Sequence, residues 1–185
     1  MDQALVERAR EGDHEAFASI VAGSIGRLNA IARLILHDRD LAEDAVQDAF
    51  VDAWQSLPGL REPDRFDGWL TRVLVRSCQN TRRRTSRRWT VEFPLLTDIG
   101  PRVPDHQMAV AASDAIERGL RALTIDQRTV LVLSFYLDLP VAEAASILGI
   151  PVGTMKSRIN RAIAALRATV DADERPAVRT AERPT

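Results

Sequence analysis

Apolar residues recur along this chain at three- to four-residue intervals, and no stretch sustains the alternation that a half-buried strand needs. The spacing predicts an all-α protein. A short helix is expected over about Gln3 to Arg10, stopped at Gly12, and a long one over about Glu15 to Leu36. Phe17, Ile20, Val21, Leu28, Ile31 and Ile35 are available for the core on the second. Asp40 with Glu43 has capping-box spacing and opens a third helix, on which Val46, Ala49, Phe50, Ala53, Trp54 and Leu57 make one apolar stripe. Pro58-Gly59 ends it. After the turn-rich segment Pro58 to Pro63, Asp67 is placed to cap a fourth helix reaching about Arg84. Its inward residues are Leu70, Val73, Leu74, Ser77 and Thr81.

Periodicity fails from about Ser86 to Val110, where Pro94, Gly100, Pro101 and Pro104 mark a linker that also carries Trp89, Phe93 and Leu95. Helices resume at about Ser113 to Leu123, and Thr124 with Gln127 forms a second capping box before a helix carrying Val130, Leu131 and Phe135. A helix over about Val141 to Leu148, a turn at Gly149-Ile150 and a last helix entered at Pro151 and running to about Val170 complete the order. After Asp171 the chain is polar and contains proline, without an apolar stripe, as in a disordered tail. The expected architecture is two small helical domains, 1–88 and 113–170, joined by a flexible linker, 89–112, and followed by a tail, 171–185.

With 45% hydrophobic and 28% charged residues, each domain has apolar side chains for a modest core, so disorder of the whole chain is not expected. The N-terminus lacks the basic and apolar regions of an export signal, and apolar stretches are broken by charge, Gly or Pro. Membrane insertion is therefore not expected and a cytoplasmic location is. Cys78 has no second cysteine to pair with, and four residues after Leu74 it reads as a buried thiol. His14, His37 and His106 are scattered, and no phosphate loop, metal-ligand spacing or paired-carboxylate site emerges. No enzymatic activity, cofactor or metal is expected.

The net charge of −1 conceals a strong segregation along the chain. From Asp38 to Asp52 six acids (Asp38, Asp40, Glu43, Asp44, Asp48 and Asp52) face one base, Arg39. From Gly68 to Val91 there are seven arginines and no acid, and from Pro151 to Arg167 four basic residues and no acid. One acidic and two basic surfaces imply a protein partner on one side and nucleic acid on the others.

Val141 to Ile159 has the length and order of a helix-turn-helix, with Gly149 suited to a left-handed stop and Pro151 to the start of the next helix. An inward stripe through Met155, Ile159, Ala162, Ile163 and Leu166 puts Thr154, Ser157, Arg158 and Arg161 on the opposite face, with Lys156 beside them. These residue types meet phosphates and guanine edges in a major groove. The fourth helix carries Arg72, Arg76, Gln79 and Arg83 as a second polar stripe opposite its apolar one, with Phe66 and Trp69 near its start. Cations beside planar side chains suit a separated DNA strand, whose bases stack on the rings. Taken singly, Phe66 and Trp69 read more readily as ordinary core.

Taken together these elements resemble the extracytoplasmic-function branch of the sigma-70 family. Leu5 to Asp13 with Ala16-Phe17 resembles the start of region 2, Asp44 to Phe50 its polymerase-binding helix, and Phe66 to Leu70 with Arg72 the segment that handles the −10 element. Pro151 to Ile159 is similar to the −35-reading helix. The resemblance implies a sigma factor that binds core RNA polymerase, through its β′ and β subunits, and directs promoter-specific initiation. Asp44, Gln47 and Asp48 would meet the polymerase. Phe66, Trp69, Arg72, Arg76, Gln79, Asn80 and Arg83 would meet the −10 strand, and Thr154, Lys156, Ser157, Arg158 and Arg161 the −35 duplex. An anti-sigma factor is a further candidate partner. Two departures stand out: Arg76 where many members place Asn, and Pro140-Val141 where a Ser cap is frequent. The rival functions are a stand-alone operator binder and a helical adaptor. Neither needs an acidic docking face together with a second basic helix.

Overall fold

The computed structural model describes residues 1–88 and 117–179, with side chains for 1–81 and 117–171. The expected linker, with Trp89, Phe93 and Leu95, lies outside the described residues, as do 180–185. Helices α1 (Gln3–Arg10), α2 (His14–Leu36), α3 (Arg39–Ser56) and α4 (Phe66–Arg88) build the N-terminal part. Helices α5 (117–122), α6 (Ile125–Leu131), α7 (Val141–Leu148) and α8 (Val152–Arg179) build the C-terminal part. No strand occurs among the described residues.

Local chemistry fixes where these helices start and stop. Asp13 accepts from the amides of Glu15 and Ala16 at 3.0 Å each, so α2 opens there. The Ala16 amide, then the Arg8 guanidinium, hold its carboxyl below the usual carboxylate range. The third helix is capped by Asp38, which accepts from the Leu41 amide at 2.9 Å, and not by Asp40. Glu43 is bonded instead to Arg39 at 3.0 Å and Arg33 at 3.2 Å, which depress its carboxyl in that order. Asp67 likewise caps nothing: α4 begins one residue earlier, out of the 3-10 turn Pro63–Arg65. Asp67 binds the Met1 amine at 2.9 Å and Arg27 at 3.0 Å, tying α4 to α2 and to the N-terminus. The Thr124–Gln127 box forms in both directions, and Gly149 adopts the left-handed stop at φ 64°. Pro140 supplies no side-chain cap to α7.

The N-terminal core is assembled from Ile20, Leu28, Ile31 and Ile35 of α2, Ala45, Ala49 and Ala53 of α3, and Phe66, Leu70 and Leu74 of α4. Alanines on α3 let the three helices approach closely, and Trp54 closes one end against His14 and Phe17, its ring 4.6 and 4.9 Å from theirs. Cys78 is buried here, and that burial pushes its thiol up to about 12. Helix α2 is long and apolar enough to cross a membrane by length and composition, yet its apolar stripe is this core. The C-terminal core gathers Leu123, Val130, Leu133, Ala144, Ala145, Met155 and Ala162. Between α6 and α7 the backbone widens into a π turn, Val132–Tyr136, which turns Phe135 outward, 63% exposed, rather than into the core.

Helix α8 continues to Arg179, beyond the expected end near Val170. The residues after Val170 include the good helix formers Ala172, Glu174 and Arg175. A helix already nucleated by packing propagates through such residues without an apolar stripe of its own.

Candidate nucleic-acid interface

Fully buried Met155 and Ala162 define the inner side of α8. At 3.6 residues per turn, Ser157 and Asn160 lie about 140–160° around the axis from both, so they form the outermost line of the helix. Lys156 and Arg161 flank that line at about 100–120°. All four are exposed. Thr154 is half-buried. Arg158, expected on the outer face, is half-buried instead. It is three residues after Met155 and four before Ala162, which places it over the same helix face as those buried residues. The Arg161 guanidinium donates to the Ser157 carbonyl and hydroxyl, both at 3.2 Å, and the Ser157 hydroxyl donates to the Thr154 carbonyl at 2.9 Å. Asn160 was missed in the sequence because an inward stripe drawn through Met155, Ile159 and Ile163 is rotated from the one that burial defines.

On α4, Arg72, Arg76 and Asn80 are exposed at intervals of four, and Gln79 is half-buried beside them. Arg83 lies on the last turns of the helix, where side chains are outside the described residues. Phe66 does not belong to this face. It is wholly buried, 5.6 Å ring to ring from half-buried Trp69, because the 3-10 turn before α4 directs it into the core. Trp69 instead lines an open groove of mixed charge, with Arg61, Arg65 and Arg72 beside Glu62, Asp64 and Asp67 on one wall and Glu143, Ser146 and Ile147 of α7 on the other, and Arg65 is paired with Glu62 at 3.0 Å. Arg61 and Arg65 lie in the turn segment and carry no helical periodicity that would single them out.

The far wall of that groove belongs to the C-terminal part of the chain. The Arg72 guanidinium donates to the Ser146 carbonyl at 2.6 Å and to its hydroxyl at 2.9 Å, and Arg76 and Gln79 lie with Ser146 to Gly149 along a second shallow groove. Helix α2 meets α6 near His37, which holds the left-handed position ending α2 at φ 56°. Partial burial, then Arg128 and Arg121, hold the His37 imidazole below its ordinary value, with Glu117 opposing them. Arg72 of α4 is therefore bonded to α7 across an open groove, while Arg76 and Asn80 beside it stay exposed, as does the outer face of α8.

On α3 the outward line runs through Asp40, Asp44, Gln47 and Val51, all exposed, with Val51 56% exposed. Asp48 is half-buried and already partnered. Among the described residues no group of three or more His, Cys, Asp or Glu could hold a metal ion.

Residues 22–88 match the family model for sigma-70 region 2, and 113–166 match that for sigma-70 region 4. The ECF RNA polymerase sigma factor SigM of Mycobacterium tuberculosis is 32% identical, over 84% of this chain and 77% of its own length. RNA polymerase sigma-H factor of Pseudomonas aeruginosa is 30% identical over 97% of both chains. Among solved structures, that of CnrH in complex with the cytosolic domain of CnrY is 32% identical, with a TM-score of 0.64, covering 93% of this chain and 98% of that one. CnrH is a sigma factor of Cupriavidus metallidurans. The sigma factor RpoE of Bartonella quintana, solved with the anti-sigma factor NepR, shares the fold at 24% identity and a TM-score of 0.67, over 85% of this chain and 98% of that one.

Proposed function

The chain belongs to the extracytoplasmic-function branch of the sigma-70 family, and on that premise we propose how its three charged helices divide promoter recognition. It is a promoter-recognising sigma factor that directs transcription initiation with RNA polymerase. The acidic outer face of α3, Asp40, Asp44 and Gln47 with Val51 at its end, docks on the core polymerase, and Asp48 contributes from the edge. Helix α4 holds one separated strand of the −10 element through Trp69, Arg72, Arg76, Gln79, Asn80 and Arg83. Helix α8 binds the −35 duplex, with Lys156 and Arg161 on the phosphates, Ser157 between them and Thr154 at the flank, while Arg158, which lies toward the buried side, reaches the duplex only with the end of its long side chain. The domains are 1–88 and 113–170, and the protein acts where its polymerase does, in the cytoplasm. It needs no cofactor and performs no chemistry of its own. CnrH was solved with the cytosolic domain of CnrY, and by that likeness a protein partner of the anti-sigma kind is proposed for this chain too.

One observation carries this division: opposite charges sit on separate helices, with α3 acidic outward and α4 and α8 basic outward. An operator binder has no use for the first, and an adaptor has none for the other two. Because Arg72 is engaged by Ser146, a melted strand on α4 competes with Ser146 for it. The proposal is tested by mixing the purified chain with core polymerase and following co-elution on a sizing column. A stable complex is expected, weakened on the order of a hundredfold by reversing charge at Asp40 and Asp44 of α3. A chain that binds duplex DNA alone but never core polymerase contradicts the proposal.

A further inference from the structure

The outermost line of α8 holds two polar residues, Ser157 and Asn160, and they differ in one respect. The Ser157 hydroxyl is occupied within the helix, giving its proton to the Thr154 carbonyl and accepting from Arg161. The Asn160 amide is exposed and makes no hydrogen bond among the described residues. Asparagine is a poor residue for the middle of a helix, and here it neither caps an end nor bonds to the backbone. It stands among Ala162, Ala164, Ala165 and Leu166, which are good helix formers, so helix stability does not account for it. What it does offer is a donor and an acceptor side by side, about 12 Å along the axis from the start of α8, between Lys156 and Arg161.

That pair of groups matches one base edge in a major groove. Adenine presents N6–H, which donates, beside N7, which accepts, and a carboxamide meets both at once, its oxygen accepting and its nitrogen donating. Lys156 and Arg161, on either side of the line, are positioned to hold the phosphates that bound the groove and so fix the depth at which the amide arrives. We propose that Asn160 is a base-specifying residue of this sigma factor and selects an adenine in the −35 element. The inference rests on the reading of α8 as the duplex-binding helix.

The test compares the parent and Asn160→Ala, each with core polymerase, in initiation from promoters carrying all four bases at every −35 position. Alanine is the better helix former, so the variant keeps its fold, which circular dichroism checks. The parent is expected to prefer adenine at one position by about fivefold to a hundredfold, the range for a bidentate base contact. In Asn160→Ala that one preference disappears while those at other positions and the salt dependence persist. A uniform loss over all −35 variants would make Asn160 a backbone contact and overturn the proposal, as would a preference pattern identical to the parent's. A parent indifferent to every −35 base overturns the duplex reading of α8 itself and the proposal with it.

Discussion

Helices α4 and α8 are built alike, each with one face in a core and a cationic face opposite, yet they present that face differently. On α8 Lys156, Ser157, Asn160 and Arg161 stand open to solvent. On α4 Arg72 is bonded to Ser146, and Arg76 and Gln79 border a groove whose other wall is α7. Two helices with the same pattern of apolar and cationic positions can thus differ in their neighbours: periodicity and charge mark the polar face, and tertiary packing decides what stands beside it. On the proposed division of labour, a strand bound by α4 competes with Ser146 for Arg72, whereas a duplex bound by α8 meets no such contact.

The buried sides of the two helices give the largest effects. Phe66→Ala is expected to destabilise the N-terminal domain by about 3–5 kcal/mol, and Met155→Ala the C-terminal one by about 2–5 kcal/mol. Both are read by denaturant unfolding. A Phe66→Ala protein of parental stability, deficient only in strand binding, would return Phe66 to the DNA-facing side of α4. Next is the polymerase face. Asp40→Lys combined with Asp44→Lys should lower affinity for core polymerase on the order of a hundredfold, since like charges opposed across an interface cost several kcal/mol. Helical content should be unchanged, and fluorescence titration of labelled core checks the affinity.

The contrast between the two faces is sharpened by salt. Lys156→Ala and Arg161→Ala should each reduce the salt slope of −35 duplex binding by roughly 0.9, as expected when one phosphate contact is lost. Arg72→Ala should leave that slope alone and impair opening of the −10 region, read by permanganate footprinting. Equal effects of all three on duplex binding would show that α4 and α8 do not differ in what they bind. Within the −10 region, Arg76→Asn should change which variants open without altering polymerase affinity. The smallest effect concerns His37, where α2 meets α6. Its imidazole titrates below its ordinary value, so the folded chain takes up this proton at lower pH than the unfolded one. The resulting contribution is fully present above about pH 6.5 and is lost as pH falls through the lowered folded value. His37→Asn, which tolerates the left-handed backbone, should flatten stability against pH across that interval. Unfolding midpoints taken at a series of pH values report it, and an unchanged acid limb would remove His37 from the account.

Much of this was legible in the residues. The bounds of α1 and α7 follow from Gly12, Pro140 and Gly149, because those residues leave the backbone few alternatives, and the Thr124–Gln127 box is a local device that needs no tertiary context. Where two local solutions competed, the sequence left the choice open. Asp38 and Asp40 are both chemically able to cap α3, and Glu43 was drawn away from a capping box by Arg39 and Arg33. Phe66 and Trp69 share a motif, and only the 3-10 turn before them sends one inward and leaves the other on a groove. On α8 a rotation of the helix by less than one residue exchanged Arg158 for Asn160 on the outer line. The contact of α7 with α4 joins residues 74 positions apart and is invisible to any local pattern.

The division of labour between the two faces is tested most directly by run-off transcription with purified core polymerase on promoters in which the −35 and −10 elements are scrambled separately. The account predicts initiation that depends on the chain and on both elements. It further predicts that Lys156→Ala with Arg161→Ala mimics loss of the −35 element and Arg72→Ala loss of the −10 element. Transcripts indistinguishable from those of core polymerase alone, or initiation indifferent to both elements, would contradict it.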